Sequence, residues 1–174
     1  MASRHFFVQS LIFLGLLNKL LVSFVLASYF FQYSPKFMLM TISKLLLAYL
    51  LTALVFFAID LLWLGIIGKN IYQKYLGHLL GDVNWTAALI FYLLFIVGIF
   101  IFSILPGLEK DSVTYTLLYG ALFGFFTYAT YDLTNLATLK DWPLPIVFID
   151  ILWGSVLTGS VAFAGYYIGK WLGI

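Results

Sequence analysis

The stretch LLLAYLLTALVFFAIDLLWLGII, from Leu45 to Ile67, decides the fold class. It is apolar throughout except for one charged residue, Asp60. A helix needs about 20 consecutive apolar residues to cross the hydrocarbon core of a bilayer. The run lacks the strict alternation of apolar and polar residues that marks a membrane-spanning strand. It therefore predicts a transmembrane helix.

Three more apolar runs follow, at Trp85–Leu105, Val113 to about Leu136, and Leu144–Leu172. The connections between them are short, so neighbouring helices should run antiparallel. The chain is 64% hydrophobic and only 9% charged, whereas soluble domains are about 45–50% apolar and about 25% charged. The predicted fold class is all-α: a polytopic transmembrane helical bundle with four core spans.

An earlier apolar segment, Leu11 to Phe31, follows Arg4 and His5 and is interrupted by Lys19. The interruption and the lack of a small-residue cleavage site argue against a removed signal peptide. We interpret residues 1–39 as an N-terminal extension with one extra apolar helix, before a four-span membrane domain at residues 40–174. A translation start at Met38 or Met40 remains an alternative.

Composition also restricts the partners. The net charge is +2 and no basic run is present, so we expect contact with the lipid bilayer and no nucleic acid. The absence of cysteine excludes disulfides and thiolate metal sites. Small residues at helix-packing spacing, Gly120 with Gly124 and Gly165 with Gly169, predict close packing inside the chain, with a homodimer through either pair as the alternative.

Three of the seven acidic residues, Asp60, Asp132 and Asp150, lie within apolar runs. A carboxylate in the membrane interior costs on the order of 2.5–3.5 kcal/mol, so such residues mark functional sites by default. Because successive spans are antiparallel, the end of the first core span, the end of the third and the start of the fourth meet at one membrane face. The topology therefore predicts that the three carboxylates converge there, about 10 Å below the surface at a rise of 1.5 Å per residue.

Aromatic and polar residues accompany these acids. Tyr128, Tyr131, Asp132 and Asn135 form one stripe of a helix. The pentads IDLLW and IDILW place a tryptophan three residues after Asp60 and Asp150. The loops at 68–84 and 138–142 should close over the same face. The candidate pocket comprises Asp60, Trp63, His78, Trp85, Tyr128, Tyr131, Asp132, Asn135, Trp142, Asp150 and Trp153.

This set of residues is compatible with several chemistries. No cofactor is evident, but oxygen ligands from Asp60, Asp132, Asn135 and Asp150 suit Mg²⁺, Mn²⁺ or Ca²⁺ bridging to a phosphorylated lipid. The carboxylates could instead carry protons, and the aromatic rings could form a cage for an apolar or cationic ligand. The structural alternative is that the acids only hold helices together through hydrogen bonds.

The stretches LLLAYLLTALVFFAIDLLWLG, YLGHLLGDVNWTAALIFYLLF and YGALFGFFTYATYDLTNLATLKDWPLPIVFIDILWG resemble a bacterial family of small multi-pass membrane proteins, catalogued as domain of unknown function 2177. The resemblance covers about Met40 to the C-terminus. It implies four core spans and a location in the bacterial inner membrane, and it supplies no activity. The signature positions that it implies are Asp60, Trp63, Gly77, His78, Asn84, Trp85, Tyr131, Asp132, Asn135, Trp142, Pro143, Asp150, Trp153 and Gly154.

Three functions are therefore expected from the sequence. The first is a module that binds or transports a small substrate, coupled to protons through the carboxylates. The second is an intramembrane enzyme acting on a lipid or isoprenoid phosphate, with a carboxylate as general acid or base. The third is a structural or accessory membrane subunit. Whether the protein is an enzyme is left open by the sequence.

Overall fold

The computed structural model describes residues 42–174, and all structural statements refer to them. This range contains helices and no strand. The predicted N-terminal helix, and with it the division between residues 1–39 and 40–174, lies outside the described residues. The helices are α1 (Ile42–Leu62), continued by a π-helical turn (Trp63–Ile67); α2 (Lys69–Leu76); α3 (Trp85–Ile99), continued by a second π-helical turn (Phe100–Ile104) and α4 (Leu105–Glu109); α5 (Val113–Thr138); and α6 (Leu144–Leu172).

Three continuous helical segments are long and apolar enough to cross a membrane: Ile42–Ile67, Trp85–Glu109 and Leu144–Leu172. An 18-residue window within each has a mean hydropathy of 2.5, 2.9 and 1.9, respectively, and each segment exceeds the length that a bilayer core requires. The protein is therefore a membrane protein with at least these three spans. They correspond closely to three of the four runs expected from the sequence.

Helix α5 is the fourth expected span, and its composition falls short of the other three. It has 26 residues, enough to cover about 39 Å at 1.5 Å per residue, but it is rich in threonine and tyrosine. Several threonine hydroxyls donate to carbonyls one turn earlier on α5, which satisfies them without water. These pairs are Thr127 with Phe123, Thr130 with Phe126, and Thr134 with Thr130. A hydropathy scale treats such hydroxyls as polar, so a fourth span remains a prediction that this bonding supports.

The helix starts follow ordinary capping chemistry, while one predicted helix end is wrong. The side chain of Asn84 accepts a hydrogen bond from the Ala87 N–H at 3.1 Å, as expected of an N-cap. The sequence predicted that the second span stops at Pro106, but the helix continues to Glu109. The π-helical turn at Phe100–Ile104 comes directly before Pro106 and changes the hydrogen-bond pattern there, so the missing proline N–H does not end the helix.

Helix α6 forms the centre of the bundle and packs against both α1 and α5. Its contact with α5 is so close that glycine is required: a Cβ on Gly124 would collide with the backbone carbonyl of Gly154. Gly120, Gly165 and Gly169 are likewise buried, facing Ala162, Ile104 and Leu108 of the same chain. The glycine pairs therefore serve packing within the chain, and homodimerisation stays a prediction without an assigned surface.

Candidate binding pocket

The three carboxylates of α1, α5 and α6 are buried on the same side of the bundle. Asp60 is 4% exposed, Asp150 is 7% exposed and Asp132 is fully buried. The hydroxyl of Tyr128 on α5 interacts electrostatically with all three of them. The carboxylates therefore surround one tyrosine, although they are spread over 90 residues of sequence.

Asp60 and Asp150 are each bonded to a tyrosine. Tyr92 of α3 donates to Asp60 Oδ2 at 3.0 Å, and Tyr72 of α2 donates to Asp150 Oδ1 at 2.7 Å. Tyr72 also accepts a hydrogen bond from Trp63 Nε1 at 3.1 Å. A relay from Trp63 through Tyr72 thus connects the end of α1 to the carboxylate of α6.

The local sequence explains how Tyr72 reaches this position. Gly68 is buried between α1 and α2, and a Cβ there would lie 2.8 Å from Trp63 Nε1 and 2.9 Å from the Tyr72 ring. Its lack of a side chain lets α2 approach the end of α1. Burial raises the pKa of Tyr72, and the neighbouring Asp150 carboxylate raises it further. Tyr72 therefore remains a hydrogen-bond donor at physiological pH.

The two matching pentads meet in space. The indoles of Trp63 and Trp153 stack with ring centroids 4.3 Å apart and an angle of 10° between their planes. Trp153 Nε1 lies near Asp60 but makes no hydrogen bond of normal geometry within the described residues. Each tryptophan thus lies near the carboxylate of the other pentad. Trp63 is linked to Asp150 through the hydroxyl of Tyr72, and Trp153 lies next to Asp60.

Asp132 has a different environment. Neither of its carboxylate oxygens has a hydrogen-bond partner among residues 42–174. The buried Nε1 of Trp142, in the connection between α5 and α6, lies nearby and is also without a partner in this part of the chain. Trp142 packs edge-on against Tyr131, with centroids 5.9 Å apart. Asp132 also interacts electrostatically with Asp150.

A cavity of about 450 Å³ lies beside these carboxylates. It has an aromatic and apolar lining with few polar groups, a composition typical of small-molecule sites. Among the described residues, Asp150 is the only charged one in the lining, which consists of Leu64, Phe91, Tyr92, Phe95, Thr127, Tyr128, Tyr131 and Asp150. Four helical segments contribute: the end of the first span, α3, α5 and α6.

The cavity lining overlaps the sequence-based candidates only in part. Tyr128, Tyr131 and Asp150 line it, whereas Asp60 and Trp153 lie in the surrounding layer. His78 and Trp85 are exposed, and Asn135 is half-buried outside the lining.

Sequence reasoning missed Tyr72, Tyr92, Thr127 and the aromatic pair Phe91 and Phe95. The aromatic residues of α3 have no distinguishing local pattern in a chain that is 20% aromatic. Tyr72 had a weak signal, since it lies in an amphipathic segment of the loop that was expected to close over this face.

No group of three or more histidine, cysteine, aspartate or glutamate side chains within residues 42–174 has the proximity to hold a metal ion. Asp60 and Asp150 each accept a hydrogen bond from a tyrosine hydroxyl, and all three carboxylates interact electrostatically with Tyr128. The geometry therefore offers no support for the metal site suggested by Asp60, Asp132, Asn135 and Asp150.

Comparison with known proteins identifies a family of membrane proteins. The model of a family described as a predicted membrane protein, DUF2177, matches residues 45–167. No curated protein and no solved structure matches the chain. The matched residues contain most of α1, all of α2 to α5 and most of α6, and with them every residue of the cavity lining.

Proposed function

The chain belongs to the DUF2177 family of predicted membrane proteins, and we propose that it binds a small, mainly apolar cation in the cavity and exchanges it for a proton. The observation that carries the proposal is the lining: aromatic side chains surround a single buried carboxylate, Asp150. Aromatic faces attract cations, most strongly where water is excluded. A buried carboxylate for which residues 42–174 supply no basic partner provides the matching charge.

The charge of the lining favours a cation over a phosphate. Lys69, Lys74 and Lys140 are exposed and do not line the cavity. A phosphate group beside Asp150 would meet a like charge with no arginine or lysine to offset it. The cavity therefore supports the binding and transport hypothesis better than the enzyme acting on a lipid phosphate.

Proton exchange follows from the same carboxylate. Tyr72 occupies Asp150 Oδ1, and no hydrogen bond to Oδ2 is found in the described range. A proton on Asp150 would remove the charge that attracts the cation, so proton and cation would compete for one group. The other titratable side chains that interact with Asp150 are Tyr72, Tyr128, Tyr131 and Asp132.

The proposal is tested by equilibrium binding of benzyltrimethylammonium to the protein in lipid nanodiscs. We expect Asp150→Asn to weaken binding by at least about tenfold, since a desolvated charge contact contributes more than 1.4 kcal/mol. Asp82→Asn, which removes a charge from an exposed loop, is the matched control and should leave the affinity unchanged. Equal affinities for wild type and Asp150→Asn would refute the proposal.

The coupling is tested separately. Affinity for the cation should fall as pH is lowered in the wild type, because protonation neutralises the carboxylate, and should be independent of pH in Asp150→Asn. In proteoliposomes, an imposed proton gradient should drive uptake of the cation by the wild type and not by this variant. Binding without driven uptake would leave a binding protein and exclude exchange.

A further inference from the structure

We infer that the ligand enters the cavity sideways from the bilayer, through the gap between α3 and α5, and that it is an amphiphile with one cationic head and an alkyl tail. The inference rests on the proposed cation binding. It adds an entry route and a substrate class, both of which follow from how α3 is placed.

Helix α3 is attached to the bundle mainly at its far end. The π-helical turn that follows it packs against α5 and α6, and Ser103 Oγ donates to the Thr116 carbonyl at 2.6 Å. Phe100, Ser103 and Ile104 are buried there. Among the first ten residues of α3, by contrast, none is buried, and only Ala88 and Tyr92 are even partly so. The helix therefore diverges from α5 toward the carboxylate side.

The cavity lies where α3 and α5 diverge. Its lining takes Phe91, Tyr92 and Phe95 from α3 and Thr127, Tyr128 and Tyr131 from α5. Phe91 and Tyr131, one from each side of the gap, are 50% and 59% exposed although they line the cavity. Exposed side chains at the rim of a cavity mark its opening, which is thus bounded by these two residues.

The opening lies at the depth of the lipid tails. Phe91 and Phe95 follow the start of the span at Trp85 by six and ten residues, which is about 9 and 15 Å at 1.5 Å per residue. Asp150 is similarly about 9 Å below the start of α6 at Leu144. On the aqueous side, Tyr72 of α2 is hydrogen-bonded to both Trp63 and Asp150, so these side chains cover the carboxylate. The open route is therefore from the bilayer, and a ligand that uses it is dissolved there.

The size of the cavity fixes the form of the ligand. A volume of 450 Å³ holds about 15 groups of the size of water or methylene, at roughly 30 Å³ each. A trimethylammonium head takes four of these groups, so the cavity has room beside Asp150 for the head and about 11 carbons of chain. A longer tail fits only if it leaves through the gap between Phe91 and Tyr131 into the bilayer.

The experiment compares butyltrimethylammonium and hexadecyltrimethylammonium, with binding expressed per mole fraction in the nanodisc bilayer. Because the gap lets the tail extend into lipid, the hexadecyl probe should bind at least as tightly as the butyl probe. A hexadecyl affinity weaker by about tenfold or more would overturn the inference, since its tail is longer than a closed cavity of this volume can hold.

The gap itself is tested by single cysteines, which the cysteine-free chain permits without background. Phe91→Cys lies at the rim, and Leu94→Cys is the matched control on the same helix, 66% exposed and outside the lining. A bulky apolar maleimide on Cys at 91 should reduce hexadecyl binding at least about tenfold, and the same label at 94 should not. Equal effects at the two positions would overturn the route.

The failure of the route and the failure of the proposed function give different results. If the unlabelled wild type binds neither probe, cation binding itself is wrong and the inference falls with it. If the wild type binds the butyl probe and excludes the hexadecyl probe, cation binding stands and entry from the bilayer is wrong.

Discussion

The two walls of the cavity are built differently. On one side, α5 and α6 touch through their backbones, with Gly124 against the carbonyl of Gly154. On the other side, α3 meets α5 through aromatic rings, with Phe123 between Phe95 and Phe102 at centroid distances of 5.4 Å. Backbone contacts cannot yield without moving a helix, whereas rings can change rotamer. One wall is thus rigid and carries the charge, and the other can adapt to a ligand.

Side-chain hydrogen bonds connect α3 to α1. Tyr92 donates to Asp60, and the Tyr49 hydroxyl donates to the Leu93 carbonyl at 3.0 Å, so both bonds connect α3 to α1. The bonds that hold the adaptable wall therefore run to the first span and not across the gap. A widening of the gap would leave both of them intact.

The largest expected effect comes from comparing the same substitution, glycine to alanine, in the two walls. Gly124→Ala places a methyl group against the backbone of Gly154 and should destabilise the protein by about 3 kcal/mol or more. Gly98→Ala meets only the far end of the Phe123 side chain, Cζ at 2.5 Å, and should cost less than about 1 kcal/mol because that side chain can shift through a change of χ1 without moving a helix. The measurement is the free energy of unfolding in mixed micelles, by titration with a denaturing detergent.

Gly65→Ala provides the baseline for both variants, because no atom lies within 4 Å of a Cβ at that position. It reports only the gain in helix propensity, about 1 kcal/mol. Equal costs at positions 124 and 98 would show that the two walls do not differ in rigidity.

The next effect concerns the relay on the rigid side. Tyr72→Phe removes both the acceptor of the Trp63 N–H and the donor to Asp150, and should destabilise the protein by about 2 kcal/mol. The same unfolding titration measures it. Tyr75→Phe, on the same short helix with no hydroxyl hydrogen bond identified, is the control. A cost for Tyr72→Phe no greater than that of the control would mean that the relay does not hold α2.

A smaller effect is expected on the adaptable side. Tyr92→Phe removes one hydrogen bond to Asp60 and should cost about 1 kcal/mol, between the average of about 0.6 and the maximum of about 1.7 kcal/mol for interhelical bonds in membranes. Tyr92 is partly exposed, so the loss of its hydroxyl hydrogen bond should cost less free energy than the same loss at a fully buried tyrosine. Unfolding free energies of the two tyrosine variants, measured side by side, decide the order. A larger loss for Tyr92→Phe than for Tyr72→Phe would reverse it.

The sequence predicted the spans well because membrane crossing is a local property. The runs at Leu45–Ile67 and Leu144–Leu172 fix helix length without knowledge of neighbours. The convergence of Asp60 and Asp150 followed from antiparallel connectivity. The partners did not follow, since Tyr92 is 32 residues from Asp60 and Tyr72 is 78 residues from Asp150. Such pairs depend on helix rotation, which an apolar run does not specify when every face is apolar.

The smallest effect tests Asp132, a buried carboxylate for which no hydrogen bond is found among residues 42–174. Asp132 lies on the rigid side, yet none of the described residues donates to it. Replacement of a buried group that makes no hydrogen bond by an apolar group of similar volume loses no bond and removes a desolvation cost. Asp132→Leu should therefore leave the free energy of unfolding unchanged or raise it by up to about 1 kcal/mol. Asp60→Leu is the comparison variant, because it removes the acceptor of the Tyr92 hydroxyl and should lower stability. A loss for Asp132→Leu as large as that for Asp60→Leu would mean that Asp132 holds the helices together. A neutral or stabilising result would mean that packing does not require this carboxylate, which would point to a role for Asp132 beside Asp150 in handling charge.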